Sequence, residues 1–333
     1  MPSRLRRTRW RREFAPGIHG PDDDRDRILY RQEALMISTP QRILVATDFS
    51  PAAELAQRLA LDLARGFDAE LHIVHVQVLL DDPHLEEKHQ HELDRLLESS
   101  EDRRRQALEI PSTDAEVSIH THLVRGLSAS EAIVEMAGDL KCELIVMGTH
   151  GRRGFTHLLL GSVAEHVVRS APVPVLTVRP DSVVPPAGCH RILVPHDFSD
   201  HSTTAVEVAA AWARVLTAEV TLLHAVEPVV YPEFYAVDLL PDEMIGRLKS
   251  RSEEALEQAA ERHLEGVTVN VKVIVGRAGD TIVTEADSEN HDLVIMGTRG
   301  LSGLEHLLLG SVAESVLRRC ALPLLAVRED PED

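Results

Sequence analysis

The sequence predicts an α/β fold built twice: two tandem open five-stranded parallel sheets, each with helices on both faces. Three observations carry this expectation. The chain has 333 residues, long for one compact core and sufficient for two domains of about 150 residues. It repeats itself at a fixed offset. Within each copy, short apolar runs alternate with capped segments of helical length.

The repeat is explicit. Arg42-Ile43-Leu44-Val45 followed by Asp48-Phe49-Ser50 returns as Arg191-Ile192-Leu193-Val194 followed by Asp197-Phe198-Ser199, an offset of 191 − 42 = 149. The segment Gly148–Arg169 returns at Gly297–Arg318 with 15 of 22 positions identical. Solenoid repeats run ~20–50 residues, so this is a duplicated domain. The expected organisation is an N-terminal arm over 1–39, a first domain over 40–180, a linker over 181–190 and a second domain over 191–330. Pro185, Pro186 and Gly188 mark the linker.

In the first copy, Ile43–Thr47 is a short, nearly all-apolar run, as in a strand buried on both faces. Ser50 is placed to cap a helix with Pro51 at its first position, and Gly66 to end it. Leu71–Val78 reads as the second strand. The charged stretch from His84 to Glu109 reads as a long exposed helix before Pro111. Glu116–Val124 alternates apolar and polar residues as a half-covered strand does. Ser128–Gly138 reads as helix, Glu143–Met147 as strand, Ser162–Ser170 as helix and Val173–Val178 as the last strand. The second copy follows the same order. Strands separated by helices require parallel crossovers.

Composition excludes several function classes. Hydrophobic residues are 44% and charged residues 27%, ordinary globular values. No apolar run approaches the ~18 residues of a membrane span. The formal charge is −19, which disfavours nucleic acid and anionic membrane as partners. Aromatic residues are 3%, few for stacking single-stranded bases. The three cysteines, Cys142, Cys189 and Cys320, lack metal-type spacing and suit a reducing, cytoplasmic setting. Residues 1–38 hold nine Arg against six Asp and Glu. That arm is expected to be a solvated extension, with Met36 an alternative first residue.

Ligands of open parallel sheets bind beyond the carboxyl ends of the strands. Two duplicated motifs fall there. One is Ala46-Thr47-Asp48 with its counterpart Pro195-His196-Asp197. The other is Gly148-Thr149-His150-Gly151, nine residues, then Gly161-Ser162, with Gly297-Thr298-Arg299-Gly300, nine residues, then Gly310-Ser311. Glycines at a strand exit permit unusual dihedrals and close approach of a ligand. Gly-Ser opening a helix offers free N–H groups and the positive end of the helix dipole, an anion site suited to phosphate. A single Gly-x-x-Gly is most often a plain turn. Here the spacing occurs twice, with His-Leu-Leu-Leu-Gly-Ser-Val-Ala-Glu around it.

Strand-Asp-Phe-Ser, His75-Val76 after the second strand and Gly-x-x-Gly-x9-Gly-Ser together resemble the universal stress protein family, and the tandem arrangement resembles its two-domain members. The resemblance covers about residues 40–180 and 190–330. It implies strand order 3-2-1-4-5 in each domain and the branch of the family that binds ATP, with or without Mg²⁺. Carried over by position, it places Asp48 and Asp197, with Thr47 and Pro195, around adenine and ribose. Val76 and Ala225 would line the adenine slot. Met147, Gly148, Met296 and Gly297 would meet the sugar. Gly151, Gly161, Ser162 and Val163, and in the second copy Gly300, Gly310, Ser311 and Val312, would cradle phosphates. His150 and Arg299 stand inside those loops. Ala46 replaces the proline found at Pro195, and His196 stands where Thr47 does, so the two adenine pockets are expected to differ.

The resemblance implies an ATP-binding stress-response regulator, one site per domain, acting through nucleotide-dependent conformation or a regulatory protein partner. A slow ATPase and an interaction scaffold with structurally bound nucleotide are the alternatives. No Walker Gly-x4-Gly-Lys-Ser/Thr occurs, and neither glycine loop brings Lys, with Glu305 in the second loop as their one carboxylate, so no catalytic residue is assigned. His150, Arg152 and Arg153 in the first loop, against Arg299, Leu301 and Ser302 in the second, predict tighter triphosphate binding by the first domain. Pairing between Val173–Val178 and Leu324–Val327 would cover the two sheet edges within one chain, and homodimerisation is a further option.

His84, His89 and His91 are expected to be solvated, not a metal site. His120 and His122 are expected to be exposed. His75 and His224 are expected to satisfy core hydrogen bonds, and Cys142 lacks a neighbouring base that would make it a nucleophile.

Overall fold

The computed structural model describes residues 39–78, 117–149, 160–182, 184, 188–227, 242–288, 291–298 and 309–328. All of these belong to the unit Ile37–Asp333. The first half contains β1 (Arg42–Ala46), α1 (Pro51–Phe67), β2 (Glu70–Val78), β3 (Ile119–Gly126), α2 (Ala129–Asp139), β4 (Leu144–Gly148), α3 (Ser162–Ser170) and β5 (Val175–Val178). The second contains β6 (Arg191–Pro195), α4 (Asp200–Leu216), β7 (Glu219–Val226), α5 (Asp242–His263), β8 (Val269–Val275), α6 (Ala278–Ser288), β9 (Leu293–Gly297), α7 (Ser311–Arg319) and β10 (Leu324–Val327). The segment expected to be a helix over 84–109 lies outside the described residues, as do the N-terminal arm, Pro185 and Pro186.

Each half has the expected strand order 3-2-1-4-5, and the two sheets join into one ten-stranded sheet, β3-β2-β1-β4-β5-β10-β9-β6-β7-β8. Every pairing within a half is parallel. The junction is antiparallel, with Leu324 opposite Thr177 and Ala326 opposite Val175. The expected edge-to-edge pairing of the last strands therefore forms inside one chain. Both strands are fully buried, because the junction turns two sheet edges into interior strands.

The strand pleat sorts the core by parity. Ile43, Val45, Leu71, Ile73, Leu144 and Val146 face α1 and its neighbours, whereas Leu44, Ala46, Val74, Ile145 and Met147 face α2 and α3. Both clusters run through the two halves. On the first face Phe67 of α1 meets Trp212 of α4 edge-on, with ring centroids 5.0 Å apart.

Helix α1 starts as its sequence dictates: Ser50 accepts from the Ala53 N–H at 3.3 Å, and Pro51 occupies the first turn, where its missing N–H is harmless. Its end differs from expectation. Gly66 lies inside the helix, and Asp68 takes the left-handed cap at φ 55°. The third strand begins at Ile119 and runs to Gly126, later than its alternation suggested.

Candidate functional site

At the carboxyl end of β1 the chain makes a tight, strained turn. Phe49 has φ 63°, in the left-handed region that a bulky side chain rarely occupies. Three interactions hold it there. The Phe49 N–H donates to Thr47 Oγ1 at 3.1 Å, the Ser50 N–H donates to Asp48 Oδ1 at 3.0 Å, and the Phe49 ring packs 4.7 Å from His75. His75 Nδ1 donates to the Thr47 carbonyl at 2.7 Å. The second half repeats the device: Phe198 has φ 64°, its ring lies 4.6 Å from His224, and His224 Nδ1 donates to the His196 carbonyl at 2.8 Å. His75 and His224 thus make the core hydrogen bonds expected of them. Asp48 and Asp197 are oriented by backbone bonds at the strand ends.

His196 replaces the threonine hydroxyl with an imidazole. Its Nδ1 accepts from the Phe198 N–H at 3.0 Å, so the ring proton sits on Nε2. The ring is buried, and burial pulls its pKa down to about 4, so it is neutral at physiological pH.

The glycine motifs work differently from expectation. Gly148 and Gly297 are not among the residues with positive φ. A Cβ on Gly148 would lie 3.0 Å from the Ala52 carbonyl carbon and from the Ala53 nitrogen; on Gly297 it would lie 2.8 Å from the His201 oxygen. These glycines let the first turn of α1 or α4 pack directly on the end of β4 or β9. Gly161 and Gly310 cap α3 and α7 at φ −63° and −62°, ordinary extended backbone. Each is anchored by an N–H bond of 2.8 Å, to the Thr149 and Thr298 carbonyls respectively. Having no side chain, they leave both helix starts without a side-chain cap, and the first-turn N–H groups turn their partial positive charge outward.

These parts meet in one cleft per half. The first, of about 580 Å³, is lined by Thr47, Asp48, Val76, Met147, Gly148, Gly161, Ser162 and Val163. The second, of about 290 Å³, is lined by Pro195, His196, Asp197, Ala225, Met296, Gly297, Gly310, Ser311 and Val312. The structure therefore gathers all the predicted residues that it describes. His150, Gly151, Arg299 and Gly300 lie outside the described residues, as do Arg152, Arg153, Leu301 and Ser302. Sequence reasoning missed Ala129 and Ile133 on α2, with Ala278 and Ile282 on α6, which form a further wall. The recurrence of Ala and Ile at the 149-residue offset was the available signal. The clefts differ at their floors, where Ala46 and Ala53 are matched by the larger Pro195 and Ser202.

Among the described residues, no group of three or more His, Cys, Asp or Glu is placed to hold a metal ion. None of their helices is long and apolar enough to cross a membrane. Cys142, Cys189 and Cys320 are buried, and desolvation pushes their thiols up to about 11, 12 and 11. Such thiols are inert at neutral pH.

A doubly wound α/β half with a Gly-Ser helix start at its switch point, present twice, defines the class of protein. The universal stress protein family model matches residues 39–179 and 188–328, and the chain belongs to that family. A universal stress protein of Methanocaldococcus jannaschii (MJ0531) is 37% identical over 142 residues, 42% of this chain and 82% of its own length. Rv2005c of Mycobacterium tuberculosis, also a universal stress protein, is 30% identical over 224 residues, 67% of this chain and 73% of its own. The crystal structure of a universal stress protein from Archaeoglobus fulgidus superposes with TM-score 0.63 at 22% identity, covering 86% of this chain and 98% of that one.

Proposed function

We propose that this chain is an adenine-nucleotide-binding regulator with one site in each half, organised as two domains over 40–180 and 191–330 and working in the cytoplasm. The observation that carries this reading is the pairing, in each cleft, of an uncapped helix start with an apolar slot and one oriented carboxylate. In the first cleft Val76, Ile133 and Met147 supply the apolar walls, suited to a flat base. Asp48 stands where ribose hydroxyls would donate. The N–H groups of Ser162 and Val163 would receive phosphate, because helix starts favour negative charge. Asp197, Ala225, Met296, Ser311 and Val312 take the same parts in the second cleft.

The ligand that fits is ATP. Any Mg²⁺ would be held chiefly by the phosphates, since each cleft has one carboxylate among its described lining residues. No described lining residue of either cleft is a lysine. We therefore assign regulation through nucleotide-dependent conformation or a protein partner, not rapid phosphoryl transfer.

Acid extraction of the purified chain, followed by chromatography of the released nucleotide, tests the assignment. The expected result is ATP with turnover below about one per minute. A kcat near the usual enzyme range of about 10 s⁻¹ would replace the regulator with an ATPase. An empty protein whose Tm does not respond to millimolar ATP and Mg²⁺ would favour a scaffold.

A further inference from the structure

Toward the amino end of β2 and β3 in the first half's sheet, three histidines crowd the edge that these two strands form. Parallel register sets His72 opposite His120 and Val74 opposite His122, so all three share the face that α2 covers. His72 Nδ1 and His122 Nε2 are 3.1 Å apart, a hydrogen bond in which one ring donates and the other accepts. The His72 ring stacks on His120 at 5.0 Å and on His122 at 5.4 Å. His120 is exposed as expected. His122 is half-buried, contrary to expectation, and His72 is buried. The rings stack and do not converge on a common point, so a proton, not a metal ion, is the natural ligand of this cluster.

The duplication supplies an internal control. In the second half the corresponding strand positions hold Thr221, Asn270 and Lys272. Lys272, in the place of His122, donates to the buried Glu285 of α6 at 2.7 Å. The residue of α2 at Glu285's position is Met136, a partly buried hydrophobic. The second half is thus built for a permanent cation with its counter-charge, whereas the first holds titratable imidazoles under an apolar helix face.

We infer that the β2–β3 edge of the first half is an acid-responsive element, loosened when the His72–His122 pair takes up protons, and that the β7–β8 edge of the second half is not. The hydrogen bond needs a bare nitrogen on one ring, so protonating both rings destroys it. Other charges nearby give the new cations little relief. Arg42 of β1 opposes them, and His120 adds a third titratable ring. Glu70 of β2 comes within 3.7 Å of His72 Nε2, but its side chain is half-exposed and its effect screened. The acids of α2, Glu131, Glu135 and Asp139, are exposed, as is Lys141 in the turn that follows.

Burial, followed by the neighbouring rings, holds His72 and His122 below the ordinary imidazole value of 6.5. The folded state therefore binds protons less readily than the unfolded chain. Stability contributed by the edge is complete above about pH 6.5 and is lost as pH falls through the lowered folded values. Strand β3 leads through Ser128 into α2, whose Ala129 and Ile133 wall the first cleft, so the loosening would reach that cleft and spare the other.

Hydrogen exchange of the full chain, read by mass spectrometry at about pH 7.5 and about pH 5 and corrected for intrinsic rates, tests this without any nucleotide. On acidification, peptides covering Ile119–Gly126 should lose protection by about tenfold or more relative to those covering Val269–Val275. The double variant H122K/M136E, which installs the second half's ion pair, should abolish the difference, as should the single variant H72T. Equal acid responses of the two strands in the native sequence would overturn the inference. So would an acid response of β3 that survives in whichever of the two variants folds.

Discussion

Arg328, just beyond the last strand of the second half, donates through Nη1 to the carbonyl of Arg169 in the last turn of α3, 2.6 Å away. The contact is reciprocal: Arg179, just beyond the last strand of the first half, donates to the carbonyl of Arg318 in the last turn of α7. Each half thus places a cation on the carboxyl end of the other's helix, where the dipole is negative and carbonyls lack partners. Arg318 lies 3.9 Å from Glu165 across the same junction. The helices gripped at their carboxyl ends are those whose amino ends line the clefts.

Removing this reciprocal grip should weaken the junction. Arg328→Ala is expected to lose about 1.5–3 kcal/mol of unfolding free energy, the usual worth of a charge-assisted hydrogen bond. Arg179→Ala should lose more, because Arg179 is buried and also holds Asp181 at 3.0 Å. Urea denaturation of each variant measures both; an unchanged midpoint for Arg179→Ala would contradict the role.

Glycine substitutions should separate packing from flexibility. Gly148→Ala and Gly297→Ala each drive a Cβ to 3.0 Å or less from helix backbone, and overpacking of this kind destabilises by about 1–3 kcal/mol. Gly138→Ala, within α2 with nothing inside 4 Å of the added Cβ, should stabilise by about 0.5–1 kcal/mol. Thermal melts of the three variants provide the comparison.

Nucleotide retention should depend on the helix starts. Replacing Gly161 and Gly310 together by leucine would put a side chain where phosphate is proposed to sit, and the acid extract should then contain no ATP. Circular dichroism confirms that the variant folds. Undiminished ATP in the folded double variant would remove the assignment of these two residues.

Acid stability should depend on His196. With a folded pKa near 4 against an ordinary 6.5, its neutral form stabilises the fold above pH 6.5, and that contribution disappears as pH falls through about 4. The shift corresponds to an effect on the order of 3 kcal/mol. His196→Thr, which installs the first half's hydroxyl, should flatten the decline of stability between those pH values. Chemical denaturation across the pH range tests it.

Much of this architecture was legible in the chain because its signals are local. The Ser50-Pro51 helix start, the apolar runs of β1 and β4 and the 149-residue repeat require only backbone geometry and periodicity. The twice-occurring Gly-Ser before α3 and α7 located the helix starts that line the clefts. Other features were not legible at that range. The close approach that demands Gly148 comes from Ala52 and Ala53, almost a hundred residues earlier. The left-handed φ of Phe49 depends on a ring contact with His75, brought alongside by the pairing of β1 with β2.

The sequence by itself determined that a doubly wound unit occurs twice, with a Gly-Ser helix start in each copy, because periodicity and turn chemistry are written in consecutive residues. Tertiary structure alone decided that Arg179 and Arg328 exchange grips across the junction of β5 and β10. It also decided that His72 meets His122 over an apolar helix face where the second half places Lys272 on Glu285. Those outcomes depend on which surfaces remain to be buried once each half has formed, and contacts between residues 13 to 159 positions apart leave no periodic trace along the chain.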